Sequence, residues 1–134
     1  MSRVLIDTSA YSAFFRGDPA AREALQSAET IFLNPVVLGE LLAGFGRGRR
    51  RAKNEKELEE FLAAPRVDIV EIDAETSTRY AVILAGLWAA GTPIPTNDIW
   101  ISASAMQHGL EVLTADAHFD AVPQVVVKTL RPAA

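Results

Sequence analysis

The sequence predicts an α/β fold around a central, mainly parallel sheet of about five short strands. Three observations predict it. Short runs of aliphatic, often β-branched residues recur along the chain, as buried strands require. Longer segments with helical spacing lie between them, opened or closed by Asp, Asn, Pro or Gly. Strand and helix therefore alternate, and the strands are nearly all apolar, which fits a sheet covered by helices on both faces.

Val4-Leu5-Ile6 is the first strand, and Asp7 ends it. Thr8 to Phe15 reads as a short helix stopped by Arg16-Gly17-Asp18-Pro19. Pro19 suits the first turn of a second helix to about Ala28. Thr30 to Leu33 is a second strand, after which Asn34 caps a helix that has Pro35 at its first position. That helix, to about Gly46, is apolar nearly all round and is expected to be buried. Arg49 to Ala63 is amphipathic, with Leu58, Phe61 and Leu62 facing inward. Val67 to Ile72 is a third strand. Asp73 caps a long helix to about Ala90, with Tyr80, Leu84, Leu87 and Trp88 as its apolar stripe and Gly91 as its stop. Thr96, Asn97 and Asp98 open a helix ending at Gly109. Glu111 to Thr114 is a fourth strand, His118 to Asp120 a loop or short turn, and Val125 to Val127 a fifth strand before a short polar tail.

The 134 residues suit one compact domain, and 49% hydrophobic content is enough for a real core. The absence of Cys excludes disulfides and thiolate metal sites. The chain opens on Met1-Ser2-Arg3-Val4 with no signal-peptide pattern. Its longest uncharged run, from Tyr80 to Asn97, is broken by Pro93 and Pro95. A soluble, cytoplasmic protein without a membrane segment is the expectation. The net charge of −4 argues against a general nucleic-acid binder, yet Arg47, Arg49, Arg50, Arg51 and Lys53 form a local basic cluster. Such a cluster fits either a phosphate contact or a solvated helix start.

Three carboxylates stand alone in apolar surroundings. Asp7 is the only formal charge between Arg3 and Arg16, Glu40 between Glu29 and Arg47, and Asp98 between Arg79 and Glu111. An isolated carboxylate in such a setting is costly to ionise without a partner. A shared divalent cation would explain all three. Asp116 follows the fourth strand as Asp7 follows the first, and ligands of parallel sheets bind beyond the carboxyl ends of strands. Glu40 and Asp98 lie in early turns of helices that begin at the same edge. Asp7, Glu40, Asp98 and Asp116 are therefore the expected catalytic set, with Asp7 and Asp98 as direct metal ligands. Thr8, Asn97 and Thr114 are expected to hold these carboxylates by hydrogen bonds. Mg²⁺, with Mn²⁺ as substitute, suits oxygen ligands, and two ions about 4 Å apart could activate a water and stabilise a leaving oxygen. Asp7 and Asp98 also fit helix caps, and Asp116 and Asp120 also fit turn residues. His108 and His118 lack metal-ligand spacing and are read as structural. Ser9 and Ser12 have no His-based triad, and Gly44, Gly46 and Gly48 lack the setting of a phosphate-binding loop.

These residues resemble a known family. Leu5-Ile6-Asp7-Thr8-Ser9, Leu38-Gly39-Glu40-Leu41-Leu42, Thr96-Asn97-Asp98-Ile99-Trp100-Ile101 and Thr114-Ala115-Asp116-Ala117-His118-Phe119 are similar, in order, to the motifs of PIN-domain ribonucleases. The likeness is strongest to the VapC toxins of bacterial toxin–antitoxin pairs. It implies a three-layer α/β/α domain over residues 1–134 and a Mg²⁺-dependent endoribonuclease cutting RNA, often tRNA or ribosomal RNA. It further implies Asp7, Glu40, Asp98 and Asp116 as the acidic site, a homodimer, and an antitoxin whose tail covers the site. Toxins of this kind often carry Arg or Lys in the last motif, where Ala115, Ala117 and His118 stand here. The cluster of Arg47, Arg49, Arg50, Arg51 and Lys53 would substitute in holding RNA, or would contact the antitoxin.

Other readings of the same residues are a housekeeping RNA-processing nuclease and, from a different class, a phosphoacceptor module using Asp7, Asp73, Thr114 and Lys128. The latter leaves Glu40 and Asp98 unexplained. A phosphatase with Asp7 as nucleophile would need an Asp where Ser9 stands.

Overall fold

The structure, a computed structural model, describes residues 2–130. Met1 and residues 131–134, which include most of the expected polar tail, lie outside them. Five strands and six helices alternate: β1 (Arg3–Ile6), α1 (Thr8–Phe15), α2 (Pro19–Ser27), β2 (Thr30–Leu33), α3 (Pro35–Arg47), α4 (Arg51–Leu62), β3 (Val67–Ile69), α5 (Ala74–Ala90), α6 (Thr96–His108), β4 (Glu111–Thr114) and β5 (Val127–Thr129). A short 3-10 helix, Ala117–Ala121, joins β4 to β5.

The expected helix starts form as caps. Asp7, Asp18, Asn34 and Asp73 each accept a hydrogen bond from the backbone N–H three residues on. Gly91 and Gly109 end α5 and α6 at φ of 67° and 65°, a conformation that a side chain would strain.

All strand pairings are parallel, in the order β3-β2-β1-β4-β5. The chain winds outward from β1 in both directions, so the order reverses between β1 and β4. Val4, Leu5 and Ile6 are all buried, as are Val112, Leu113 and Thr114. Neighbouring residues point to opposite faces, so helices cover both sides of the sheet. The main core joins these strands to Ala10, Tyr11, Leu25, Val37, Leu41 and Leu58. A smaller core of Ile83, Leu87, Ile99, Ala103 and Val122 binds α5 to α6.

Four local expectations change. β3 ends at Ile69 rather than Ile72, because its neighbour β2 ends at Leu33. Val70 N–H still donates to the Leu33 carbonyl, and beyond that rung no strand remains to pair. The last strand runs Val127–Thr129 rather than Val125–Val127; pairing starts only after the turn that follows Pro123. Helix α3 is not buried all round: Val37 and Leu41 are buried, whereas Leu42 is 48% exposed, because α1, α4 and α6 pack on one side only. On α5 the buried line is Thr76, Ile83 and Leu87. Trp88, one residue round from Leu87, turns away from α6 and is 75% exposed.

Buried Asn34 ties the two site-bearing helices together. Its Oδ1 accepts from Val37 N–H at 3.1 Å, and its Nδ2 donates to Ser104 Oγ of α6 at 3.0 Å. Asn34→Ala removes the cap and strands a buried hydroxyl and a buried N–H. A loss of about 2–4 kcal/mol in urea unfolding is expected; a loss within experimental error would show that solvent replaces both bonds.

Candidate active site

The carboxyl ends of β1 and β4 meet at the reversal of strand order, the location that parallel sheets favour for ligands. Asp7 leaves β1 there and Thr114 ends β4 beside it, with Asp7 N–H donating to the Leu113 carbonyl. Asp7 is only 5% exposed. Its Oδ1 accepts from Ser9 Oγ at 2.7 Å and from Ala10 N–H at 2.9 Å; its Oδ2 accepts from Thr114 Oγ1 at 2.6 Å. Burial pushes its pKa up, against these three hydrogen bonds, and the nearby charge of Asp116 adds to the rise. Asp7 is thus both the cap of α1 and a wall of the site.

Asp98 arrives from the first turn of α6 without capping it, since Pro95 holds that position. Its side chain is 14% exposed. Burial raises its pKa to about 6, against the hydrogen bond to His118, with Asp116 and Asp7 contributing further repulsion. Asp116 caps the 3-10 helix, its Oδ1 accepting from His118 N–H at 2.9 Å. Asp116 N–H in turn donates to Thr114 Oγ1 at 2.9 Å, which links it through that hydroxyl to Asp7.

Glu40 lies one turn into α3, on the rim of the same cleft. Thr8 Oγ1 donates to its Oε1 at 2.9 Å and Asn97 Nδ2 to its Oε2 at 3.3 Å. Each of the expected supports therefore touches a carboxylate: Thr8 and Asn97 touch Glu40, and Thr114 touches Asp7. The cleft, of about 410 Å³, is lined by Glu40, Pro95, Thr96, Asn97, Asp98, Asp116 and His118. No Lys or Arg lines it.

Two participants escape sequence reasoning. Ser9 Oγ accepts from Ala115 N–H at 2.9 Å while donating to Asp7, so it staples the loop after β4 to the end of β1. Its position two residues after Asp7 at a helix start is a signal that could have found it. His118 places Nδ1 3.1 Å from Asp98 Oδ2 and 3.0 Å from Asp116 Oδ2. Among the described residues, the donor atoms of Asp98, Asp116 and His118 form a group within 4.8 Å of one another. That group contains one of the two expected direct ligands, Asp98; Asp7 stands beside it. The donor set fits a hard divalent cation: clustered carboxylates, with burial and mutual repulsion raising the pKa of Asp7 and Asp98, in a cleft that no Lys or Arg among the described residues lines.

The basic cluster lies elsewhere. Arg47 ends α3, and Arg51 starts α4, where it pairs with Glu55 at 2.9 Å on the surface. Arg49 is exposed in the turn between them. Arg50 and Lys53 line a separate groove with Tyr11, Phe15 and Phe45. Asp73 binds Thr76 and Gln107 as a helix cap, and Lys128 is exposed on β5; neither lines the carboxylate cleft, and the phosphoacceptor arrangement does not form.

Comparisons with known proteins identify the family and the fold. The chain is 32% identical over 130 residues to ribonuclease VapC4 of Mycobacterium tuberculosis, covering 96% of this chain and 97% of that one. The VapBC-5 structure from M. tuberculosis, a member of the VapBC family of toxin–antitoxin systems, superposes with a TM-score of 0.74 at 26% identity, over 96% of this chain and 97% of that one. VapBC2 of Rickettsia felis, bound to a promoter DNA fragment, shares the fold with a TM-score of 0.83 at 21% identity, over 96% and 98% of the two chains. The PIN domain family model matches residues 4–125, and with nine-tenths of the chain under that match the protein belongs to the PIN domain family.

Proposed function

We propose that this chain is a metal-dependent endoribonuclease, the toxin of a toxin–antitoxin pair, with Asp7, Glu40, Asp98 and Asp116 as its catalytic residues. One observation carries the reading: these carboxylates, remote in sequence, converge where the strand order reverses, with Glu40, Asp98 and Asp116 lining one cleft, Asp7 beside it, and no Lys or Arg among the described residues in its lining. The likeness to a VapC ribonuclease and to a toxin–antitoxin structure supports the substrate class and the antitoxin partner. The substrate is RNA, with tRNA and ribosomal RNA as the candidate classes.

Asp98 and Asp116 would hold the cation, with Asp7 behind them. Mg²⁺ is the expected ion, and Mn²⁺ its substitute. When bound, it supplies positive charge to the scissile phosphate and a lowered pKa to water. Glu40, fixed at both oxygens by Thr8 and Asn97, is placed to orient the attacking water and accept its proton. Thr114 and Ser9 donate to Asp7 and so favour its charged form, against the burial that raises its pKa. EDTA should abolish cleavage of total RNA and added Mn²⁺ or Mg²⁺ should restore it. Turnover unaffected by chelation would overturn the mechanism.

The Arg47–Lys53 cluster supplies the phosphate or antitoxin contact that the cleft lacks. Arg50→Ala with Arg51→Ala is expected to weaken RNA or antitoxin binding and to flatten its salt dependence by about one to two counterions. Identical affinities and slopes for both partners would make the cluster solvated surface. A homodimer is what the family resemblance implies, and exposed Val82 and Trp88 on α5 and Leu42 on α3 are apolar side chains that such an interface could cover. No helix among the described residues is long and apolar enough to cross a membrane, which suits a site of action on cytoplasmic RNA.

A further inference from the structure

We propose that the His118 imidazole is itself a ligand of the cation held by Asp98 and Asp116, so that the centre presents one nitrogen among oxygens and selects Mn²⁺ over Mg²⁺. This rests on the metal-dependent reading above, and it adds a donor that four carboxylates alone do not provide.

Two donors at right angles on one octahedral ion, each about 2.1 Å from it, stand about 3 Å apart. His118 Nδ1 stands 3.1 Å from Asp98 Oδ2 and 3.0 Å from Asp116 Oδ2. The ring is aimed by its own backbone. His118 N–H holds Asp116 Oδ1, which turns the other oxygen of that carboxylate toward the ring of the same histidine. Phe119, the next residue, is fully buried and fixes the 3-10 helix beneath. The same spacing serves the direct His118–Asp98 hydrogen bond, whose proton a bound cation would replace. His118 is 49% exposed, and an ion pair so open to water contributes little by itself.

The chemistry then sets the preference. Mg²⁺ favours oxygen donors and gives up water reluctantly, whereas imidazole nitrogen suits transition ions. Replacing one oxygen by Nδ1 therefore favours Mn²⁺ and the later divalent ions. His108 does not compete for the role: it ends α6, ten residues and so about 15 Å along the helix from Asp98.

The test is Mn²⁺ binding to the full-length protein, counted by the loss of the free-ion EPR signal and examined by pulsed EPR for nitrogen coupling. The wild type is expected to show coupling to one imidazole nitrogen, which shifts to the ¹⁵N pattern when histidine is isotopically labelled. His118→Ala should lose that coupling and at least about tenfold in Mn²⁺ affinity, with Mg²⁺ affinity, measured by competition, changing less than about threefold. Tight Mn²⁺ binding without nitrogen coupling overturns the role of His118 while leaving the metal centre standing. Failure of the wild type to bind either ion overturns the metal-dependent reading as well. The isotope experiment decides the matter on the wild type even if the variant does not fold.

Discussion

Asp98→Asn is expected to reduce RNA cleavage at least about 100-fold, the scale of losing one electrostatic contact to a transition state, while making the metal-free protein more heat-stable at neutral pH. The two effects share one cause. Asp98 sits among Asp7 and Asp116 with its pKa raised to about 6, chiefly by burial. A carboxylate whose folded pKa lies above its unfolded value binds its proton more readily when folded. Below about pH 4 both states are protonated and nothing is lost. Stability of the metal-free wild type then falls as pH rises toward 6, and above that the full penalty of burying the charge remains. Asparagine keeps the shape and removes the charge. Its melting temperature at pH 7 to 8 should exceed the wild type's by a few degrees, and the two should coincide near pH 4. Asp7, shifted the same way by burial, leaves a residual slope in the variant. Added Mn²⁺ should reverse the order by stabilising the wild type alone. Equal melting at every pH, together with full activity, would remove Asp98 from the site.

The logic of the site was legible wherever a physical cost is written in sequence. A lone carboxylate in an apolar run announces itself, and Asp7, Glu40 and Asp98 each did. Caps did too: Asn34-Pro35 and Asp73 with Thr76 state where helices start, because an unpaired backbone N–H needs an acceptor. The sheet order is less direct. It follows from pairing between β1 and β4, which lie more than a hundred residues apart, and only the alternation of elements hints at it.

What stayed hidden depends on contacts between distant segments. His118 has no ligand spacing because its partners are Asp116, two residues back, and Asp98, twenty residues back on another helix. Ser9 looked idle because the loop it staples arrives at Ala115. The same limit misplaced surface for core. Helical spacing on α5 admits Trp88 and Ile83 equally, and only the position of α6 decides between them. Apolar α3 read as buried because periodicity counts side chains without knowing which neighbours are present. Leu42 and Trp88 are therefore exposed although both belong to apolar helical stripes.

Phe119→Ala should be the most damaging single change outside the carboxylates, costing about 3–5 kcal/mol in urea unfolding. Phe119 is the largest fully buried side chain, and it belongs to the main core although it sits in a five-residue 3-10 helix. The loop is also tied by Ser9 Oγ to Ala115 N–H, by Thr114 Oγ1 to Asp116 N–H and by buried Val122 at its end. Asp116 and His118 lie on its solvent side, so the buried ring supports them from beneath and helps hold their heads in register with Asp98. A loss of this size is a large part of the ~5–15 kcal/mol that stabilises a typical domain. The variant should still fold at low temperature, where the second consequence can be read: Mn²⁺ affinity should fall with stability, because Asp116 and His118 are no longer held beside Asp98. Phe119→Leu separates the two effects. It keeps most of the apolar volume, should cost about 1–1.5 kcal/mol, and should leave cation affinity near the wild type's. If alanine lowers stability and cation affinity is unmoved, the hydrogen bonds of Ser9, Thr114 and Asp116 shape the loop, and the core beneath contributes only to folding.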